Sequence, residues 1–192
     1  MNETPVAVVG GGLAGCECAL RLAGAGLSVV LFEQKPRFHS PAHVSASLAE
    51  LVCSNSLRSD DITSGIGLLK AELRSLGSAF MACADATRIP AGKALAVDRN
   101  AFAAAMTRRV EEHPRIDPRC QRINSLDDAA LDGMGDVVIA AGPLASDGLS
   151  ASLAEAVGAQ HCYFYDAIAP LVWTHSLDTR VVFRASRYGQ EK

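Results

Sequence analysis

The stretch that decides the fold runs from Val6 to Glu33 and reads VAVVGGGLAGCECALRLAGAGLSVVLFE. Four consecutive apolar residues, Val6–Val9, predict a buried strand, because strands of a parallel sheet are covered on both faces. A turn of the form G-x-G-x-x-G follows directly, and apolar residues at spacings of three and four then predict a helix. A second apolar strand, Leu27–Phe32, precedes Glu33. The stretch therefore predicts a βαβ unit.

The glycine turn has the residue types that a dinucleotide pyrophosphate needs. Gly10 permits a tight turn, Gly12 lets a pyrophosphate approach the backbone, and Gly15 lets the helix lie close to the strand. The N–H groups and the dipole at the helix N-terminus favour an anion. The predicted cofactor-binding residues of the turn are Gly10, Gly11, Gly12, Leu13, Ala14 and Gly15.

Glu33 closes the second strand, where a carboxylate accepts hydrogen bonds from both ribose hydroxyls of a dinucleotide. Its charge would repel a 2′-phosphate, so Glu33 disfavours a phosphorylated ribose at this turn. The alternative is a structural βαβ turn without a ligand, but the order of strand, turn, helix and acid favours a nucleotide site. The motif does not distinguish FAD from NAD.

Composition indicates a globular protein, because 49% of the 192 residues are hydrophobic, 20% are charged and the net charge is −3. The length predicts one domain, or one domain and part of another. No apolar run approaches the roughly 18 residues of a membrane span, and no signal peptide is evident, so we expect a cytoplasmic protein without membrane contact. The charge gives no general attraction to nucleic acid, and RNA contact would need a local basic surface.

Cysteines and histidines give no metal or disulfide pattern. The six cysteines are Cys16, Cys18, Cys53, Cys83, Cys120 and Cys162. None forms a C-x-x-C pair, and a cytosolic chain of this size does not need disulfides, so most are predicted to be small core residues. His39 and His43 have the spacing of metal ligands on a helix. Pro41 between them argues against a helix and no third ligand is evident, so no metal is predicted.

Cys53 differs from the other cysteines in its surroundings. It follows an apolar run and precedes small polar residues and Arg58. A thiol near donor groups and positive charge can have a lowered pKa and act as a nucleophile. On chemistry alone, a buried cysteine before a Ser/Asn turn is the favoured alternative.

The block around Cys53 carries a family resemblance. Residues 49–58 read AELVCSNSLR and follow PAH at 41–43, while ALAVDR stands at 94–99 and AGPL at 141–144. These blocks resemble the folate- and FAD-dependent tRNA uracil-5-methyltransferases (the TrmFO family), which are related to the flavoprotein subunit of the tRNA wobble-uridine modification system. Matches continue through YFYDA at 163–167 and SRY at 186–188, so the resemblance covers almost the whole chain.

The resemblance implies a flavoenzyme with a folate co-substrate. Such an enzyme takes a one-carbon unit from methylenetetrahydrofolate, uses FAD that NAD(P)H reduces, and methylates uracil C5 in the T-loop of tRNA. Cys53 matches the first of the two family cysteines, as nucleophile or as acid/base partner. Ala141 and Gly142 match a later segment that contacts FAD.

The resemblance also implies a fold, and three alternatives to the implied function stay open. We expect a doubly wound α/β domain of the two-dinucleotide flavoprotein type over residues 1–158, with an incomplete second domain over 159–192. Family members are more than twice as long, and the second cysteine is expected beyond Lys192. The alternatives are a non-catalytic FAD- or nucleotide-binding fragment, an NAD-linked oxidoreductase that uses only Val6–Glu33, and a related flavin-dependent methyltransferase that acts on ribosomal RNA. The oligomeric state is not predicted.

Apolar spacing predicts further elements. Helices are predicted over Ile66–Leu76, from Arg99 to about Glu112 after a cap at Asp98, and from a cap at Ser146 or Asp147 to about Val157. Strands are predicted over Ile116–Ile123, Val137–Ala140, Cys162–Tyr165 and Val181–Phe183, and Ala79–Ile89 is ambiguous with a strand favoured. Six arginines between residues 99 and 122 indicate a solvated mixed-charge face, with RNA contact as the alternative.

Overall fold

A computed structural model describes residues 4–158, 174–178 and 180–182. The strands are β1 (Val6–Val9), β2 (Val29–Glu33), β3 (Ser56–Ser59), β4 (Arg88–Ile89), β5 (Ala94–Val97), β6 (Ile116–Cys120) and β7 (Val137–Ile139). The α-helices are α1 (Leu13–Gly24), α2 (Gly65–Ser75), α3 (Ala79–Ala86), α4 (Arg99–Glu111) and α5 (Asp147–Val157). Short 3₁₀ turns lie at Ala129–Leu131, Gly142–Leu144 and Thr174–Ser176.

A parallel sheet in the order β6–β2–β1–β7 forms the centre of the fold. Val6 lies opposite Val29 on one side of β1, and Ala7 lies opposite Val137 on the other. The strand order therefore reverses beside β1, and such a switch point is where open α/β sheets bind ligands. A separate antiparallel sheet has the order β3–β5–β4.

Helices cover both faces of the parallel sheet. Val8 and Leu31 pack on one face with residues of α1, α3 and α4. On the other face, Val9 and Phe32 pack with Leu149 of α5. Side chains of one strand alternate between the two faces, which is why one short apolar run supplies both cores. The predicted α/β doubly wound class is confirmed.

Capping residues bound three helices, and the caps at Asp98 and Ser146 are where the sequence predicts them. The side chain of Asp98 accepts a hydrogen bond from the Ala101 N–H at the start of α4, and Ser146 accepts one from the Leu149 N–H at the start of α5. Gly26 has a φ of +96° just after α1, and Gly158 has a φ of +86° just after α5. Glycine adopts this region without the penalty of a Cβ, so these glycines end their helices.

The strand favoured over Ala79–Ile89 is wrong for most of its length. Residues 79–86 form α3, and the Ser78 hydroxyl accepts a hydrogen bond from the Met81 N–H at its start. The segment AFMACADA is rich in good helix formers, and its N-cap outweighs the apolar character that suggested a strand. Only Arg88 and Ile89 form a strand, β4.

Two further strand predictions need correction. The apolar run Val137–Ala140 indicates a buried strand, but this is wrong in burial, because β7 lies at the edge of the parallel sheet and Val137 is 40% exposed. Val181 and Val182 lie in a turn, where both N–H groups donate to the Asp178 carbonyl. Phe183 and the predicted strand Cys162–Tyr165 lie outside the described residues.

Helix α2 has its apolar side facing outward. Leu68 is 47% exposed and Leu69 is 54% exposed, whereas Lys70 is only 6% exposed. The Lys70 ammonium donates to the Ser59 carbonyl at 2.8 Å, and Arg74 binds Asp60 and Asp85 on the same inner side. The helix is where the sequence predicts it. Its leucine spacing also suggests that the leucines are buried, which is wrong for Leu68 and Leu69, whereas Leu73 packs against the core.

The predicted boundary at residue 158 stays a prediction, because most of 159–192 lies outside the described residues. None of the helices in the described ranges has both the length and the apolar character that a bilayer crossing requires.

Candidate functional site

A cleft of about 600 Å³, partly open to solvent, lies at the carboxyl ends of the parallel strands. Its wall begins with the glycine turn after β1 and continues with residues that follow β2, β6 and β7. Residues that line the cleft include Gly10, Gly11, Gly12, Glu33, Lys35, His43, Glu50, Arg122 and Ala141. The cleft therefore occupies the switch point of the sheet, where open α/β sheets bind ligands.

Backbone approach dictates glycine at two positions of the turn. Gly10 has a φ of +109°, and a Cβ there would lie 2.6 Å from the Ala140 carbonyl oxygen. A Cβ at Gly15 would collide with the Gly10 carbonyl oxygen. These two glycines bring β1, β7 and α1 together and so determine the shape of the cleft.

Gly12 has a different environment, because no atom lies within 4 Å of the position that its Cβ would take. Gly12 is also the N-cap of α1, and no side chain caps this helix. The first N–H groups of a helix have no intrahelical partner and favour an anion. The open space beside an uncapped helix N-terminus therefore fits a pyrophosphate.

Glu33 is held in place by two backbone N–H groups. Its Oε2 accepts from the Gly11 N–H at 2.8 Å, and its Oε1 accepts from the Lys35 N–H at 2.9 Å. Each carboxylate oxygen has further acceptor capacity. The carboxylate is thus oriented at the end of β2 in the cleft wall, where it can accept ribose hydroxyls.

The structure brings together some of the predicted site residues but not all of them. Those that line the cleft are Gly10, Gly11, Gly12, Glu33 and Ala141. Those that are not part of the lining are Leu13, Ala14, Gly15, Gly142 and Cys53. Leu13, Ala14 and Gly15 belong to the first turn of α1, and Gly142, with a φ of +66°, begins the 3₁₀ turn after β7.

Arg122 is a cleft residue that sequence reasoning assigned only to an arginine-rich face. Its Nε is buried and has no hydrogen-bond partner among the described residues. Its guanidinium carbon lies 5.3 Å from the centre of the Phe38 ring. A buried unpartnered donor is unusual and fits a ligand acceptor. The sequence feature that could have pointed to Arg122 is its position shortly after a parallel strand, at the same carboxyl end of the sheet as Glu33.

His43 lines the cleft through a loop rather than a helix. Its Nδ1 lies 2.6 Å from the Ser40 hydroxyl oxygen. Burial lowers the pKa of His43, and the positive charge of Lys35 lowers it further. Within residues 4–158, 174–178 and 180–182, no group of three His, Cys, Asp or Glu side chains could hold a metal ion.

Cys53 is the exposed cysteine among the five that the structure describes. By contrast, Cys16 is buried under the glycine turn, and burial raises the pKa of its thiol to about 12, with the Glu33 charge adding to the effect. A thiol with so high a pKa is unreactive at neutral pH. Cys53 is therefore the described cysteine best placed to meet an external substrate.

Two residues that line the cleft, Lys35 and Glu50, form a buried ion pair. Lys35 Nζ is 3.3 Å from Glu50 Oε2, and the two side chains are 2% and 6% exposed. Burial tends to raise the pKa of Glu50, but the N–H of Val44 and the Lys35 ammonium outweigh it, so the net pKa is below its ordinary value. Glu50 is therefore ionised at neutral pH.

Comparison with known proteins assigns this chain to a family. The family model described as glucose inhibited division protein A matches residues 5–192. A methylenetetrahydrofolate–tRNA-(uracil-5-)-methyltransferase TrmFO from Oleidesulfovibrio alaskensis is 60% identical over 98% of this chain and 42% of its own length. The protein of that name from Geobacter sulfurreducens is 54% identical over 96% of this chain and 41% of its own length.

The chain spans about two fifths of the length of the curated relatives it matches. Among solved structures, Aquifex aeolicus GidA in its form II crystal aligns with a TM-score of 0.51 and 19% identity over 65% of this chain and 20% of that one. At this identity the structural match supports the fold alone.

Proposed function

The chain belongs to the family described as glucose inhibited division protein A, and on this premise we propose that it forms the FAD-binding part of a methylenetetrahydrofolate–tRNA-(uracil-5-)-methyltransferase. The observation that carries the proposal is the cleft at the switch point, where an open Gly12 faces the uncapped start of α1 and Glu33 is oriented by two N–H groups. Relatives of that name, with 54–60% identity over nearly the whole chain, support the same conclusion.

The residues present fit the adenosine diphosphate half of FAD. We assign the pyrophosphate to the N–H groups of residues 12–15, since the Gly11 N–H already donates to Glu33, and we assign the adenosine ribose to the Glu33 carboxylate. Arg122 supplies an unpartnered N–H to the same cleft. Ala141 follows β7 and lines the cleft on the far side of β1, with Gly142 next to it in the chain, and this is where the cofactor continues in our proposal.

When bound, FAD supplies the redox chemistry that takes a folate one-carbon unit to the level of a methyl group, and we assign the reducing equivalents to NAD(P)H. This chain's own contribution near the flavin is binding and orientation. Glu33 disfavours a 2′-phosphate in the cleft, so NADPH would not use the turn as its own site.

We assign the activation of uracil to Cys53. Uracil C5 is a poor nucleophile until a group adds at C6, and a thiolate is well suited to that addition. The sulfur first bonds to C6, and C5 then uses the displaced electron pair to bond to the one-carbon unit, which leaves its donor. Removal of the C5 proton restores the C5–C6 double bond and releases the thiolate. If the second family cysteine is the nucleophile, Cys53 removes the C5 proton as a base. Both roles need an exposed thiol, which Cys53 has.

Replacing Cys53 tests the assignment. In a protein of the relatives' full length that carries this sequence, we expect Cys53→Ala to lower the methylation of a tRNA transcript by at least about 10³-fold, because a covalent or proton-transfer step is lost. The flavin should stay bound, since Cys53 is exposed and does not line the cleft. Cys18→Ala, at a half-buried cysteine on α1, is the matched control.

Two outcomes would contradict this assignment. Full activity in Cys53→Ala would remove Cys53 from the reaction, and loss of flavin in that variant would show that the residue supports the fold instead. Methylation of a ribosomal RNA transcript in preference to the tRNA transcript would retain the chemistry and change the substrate to ribosomal RNA.

A further inference from the structure

The Lys35–Glu50 ion pair has no role in nucleotide binding or in uracil activation as described above, yet it is the most deeply buried ion pair among the described residues. Buried ion pairs contribute little to stability, because the cost of desolvation offsets their attraction. Apolar residues of similar size would serve the fold as well. The pair therefore calls for another explanation, and its contacts supply one.

Glu50 closes the loop that leads to Cys53. One carboxylate oxygen, Oε2, meets Lys35, while the other, Oε1, accepts from the N–H groups of Val44 at 3.0 Å and Ser45 at 3.1 Å. Lys35 Nζ also donates to the Ser47 carbonyl at 2.5 Å. Residues 44–51, named here the Glu50 loop, are thus bound at both ends to one charged pair.

The Glu50 loop lies directly on the glycine turn. The Ala49 N–H donates to the Gly11 carbonyl at 2.8 Å, and Ala49 is fully buried with a φ of +52°. A side chain at Gly11 would meet the Leu48 methyl group at 2.6 Å. The loop therefore cannot shift without disturbing Gly11.

Gly11 and Lys35 each contact both the Glu50 loop and the Glu33 carboxylate to which we assign the ribose. Gly11 donates its N–H to Glu33 and accepts from Ala49 through its carbonyl. Lys35 donates its N–H to Glu33 and binds Glu50 through its ammonium. A nucleotide that engages Glu33 and the turn acts on residues that also hold the Glu50 loop.

Cys53 stands at the exit of the Glu50 loop. Buried Leu51 precedes it by two residues, and Asn55 follows it and donates to the Val97 carbonyl at 3.1 Å. The position of the thiol is therefore set by an anchor on each side. The anchor on the glycine-turn side is the Glu50 loop.

We propose that Lys35 and Glu50 are positioning residues that couple nucleotide occupancy of the cleft to the placement and reactivity of the Cys53 thiol. The coupling to flavin rests on the proposed function, whereas the anchoring of the loop does not. By linkage, a ligand that orders the loop changes Cys53 reactivity, and removing the ion pair reduces that change.

The test compares wild type with Glu50→Gln, which keeps the shape and the acceptor for Val44 and Ser45 but removes the charge. We would measure the alkylation rate of Cys53 by peptide mass spectrometry with and without saturating FAD, and the hydrogen exchange of peptides from the Glu50 loop. In wild type, we expect FAD to change the Cys53 rate by about fivefold or more, and in Glu50→Gln by less than about twofold.

Hydrogen exchange tests the anchoring without any nucleotide. We expect the loop amides of Glu50→Gln to exchange at least about tenfold faster than in wild type, while peptides of α4 exchange at the wild-type rate. The conservative variant Lys35→Arg, which keeps the positive charge beside Glu50, should retain most of the effect of FAD on the Cys53 alkylation rate. Lys93→Met, which breaks the exposed Lys93–Asp61 pair, is the matched control and should change neither readout.

The outcomes separate the two proposals. Unchanged loop exchange and an unchanged FAD effect on Cys53 in Glu50→Gln would overturn the positioning role. Faster exchange in α4 as well would show a general loss of stability and would also overturn it. Wild-type protein that retains no FAD would contradict the proposed function, and the exchange data would still decide the anchoring. If Glu50→Gln does not fold, Lys35→Met/Glu50→Gln, which removes both charges, takes its place.

Discussion

At the scale of single residues, the cleft is defined by polar groups whose bonding capacity is only partly used. Glu33 is oriented but retains acceptor capacity, and Arg122 has a buried Nε without a partner. Leaving a buried donor unpaired costs about 1–3 kcal/mol. Both groups are therefore best explained by a ligand that completes their hydrogen bonds.

Arg122 provides the first prediction. We expect Arg122→Gln to weaken FAD binding by about tenfold, corresponding to about 1.4 kcal/mol, because a charge-assisted hydrogen bond and the contact over Phe38 are lost. Arg119→Gln is the control, since Arg119 is exposed and already bonded to Asp117. Fluorescence titration of FAD with each variant gives the dissociation constants. Equal affinities for the Arg122 and Arg119 variants would contradict this role.

His43 provides a prediction on pH. Burial and the nearby Lys35 charge lower its pKa below the ordinary 6.5. Just below this value the unfolded chain binds a proton that the folded chain does not, so the free energy of unfolding should fall as the pH decreases through this window. His43→Gln should remove that part of the decrease. Urea unfolding of both proteins between about pH 7.5 and 5.5 measures it, and parallel profiles would contradict the prediction.

At the scale of secondary structure elements, local sequence predicted most bounds because the capping signals are local. Asp98, Ser146 and the glycines after α1 and α5 act within one helical turn, so a reader of the sequence can find them. The exceptions depend on distant partners. The edge position of β7 follows from the strand order of the sheet, and β3, β4 and β5 are too short to have a visible period.

Helix α2 shows why an apolar face does not by itself identify the buried side. Its inner side is polar because Lys70 and Arg74 bind partners on β3 and in neighbouring segments: the Ser59 carbonyl for Lys70, and Asp60 and Asp85 for Arg74. Those partners are 11 to 14 residues away along the sequence. The leucine spacing in the sequence predicted the helix correctly and its orientation wrongly.

This orientation predicts that replacing a lysine of α2 lowers the free energy of unfolding more than replacing a leucine does, which is the reverse of what is usual. We expect Lys70→Ala to lower the free energy of unfolding by about 1–3 kcal/mol, because the buried Ser59 contact is lost. Leu69→Ala, at an exposed neighbouring position, should change it by less than about 0.5 kcal/mol. Urea unfolding at neutral pH measures both. A larger loss for Leu69→Ala would show that α2 packs through its leucine face.

At the scale of the whole molecule, the residues of the candidate site meet at the carboxyl end of the parallel sheet. The glycine turn, Glu33, Arg122 and Ala141 come from four separate strands and meet only because all four strands are parallel. The sequence motif identified Gly12 and Glu33, since their spacing is characteristic. Arg122, Lys35 and Glu50 belong to no such motif, and only the folded chain brings them to the cleft.

Binding of FAD in this cleft is tested most directly by the flavin absorbance of the 192-residue chain after the protein is mixed with FAD and desalted. We predict retained flavin in wild type and none in Gly12→Val, which places a side chain in the open space beside α1, where no neighbouring atom lies within 4 Å of the Cβ position. Gly24→Ala, where the space around the Cβ is also open, should retain flavin. A folded wild-type protein that retains no flavin, or that binds NADH instead, would contradict the account.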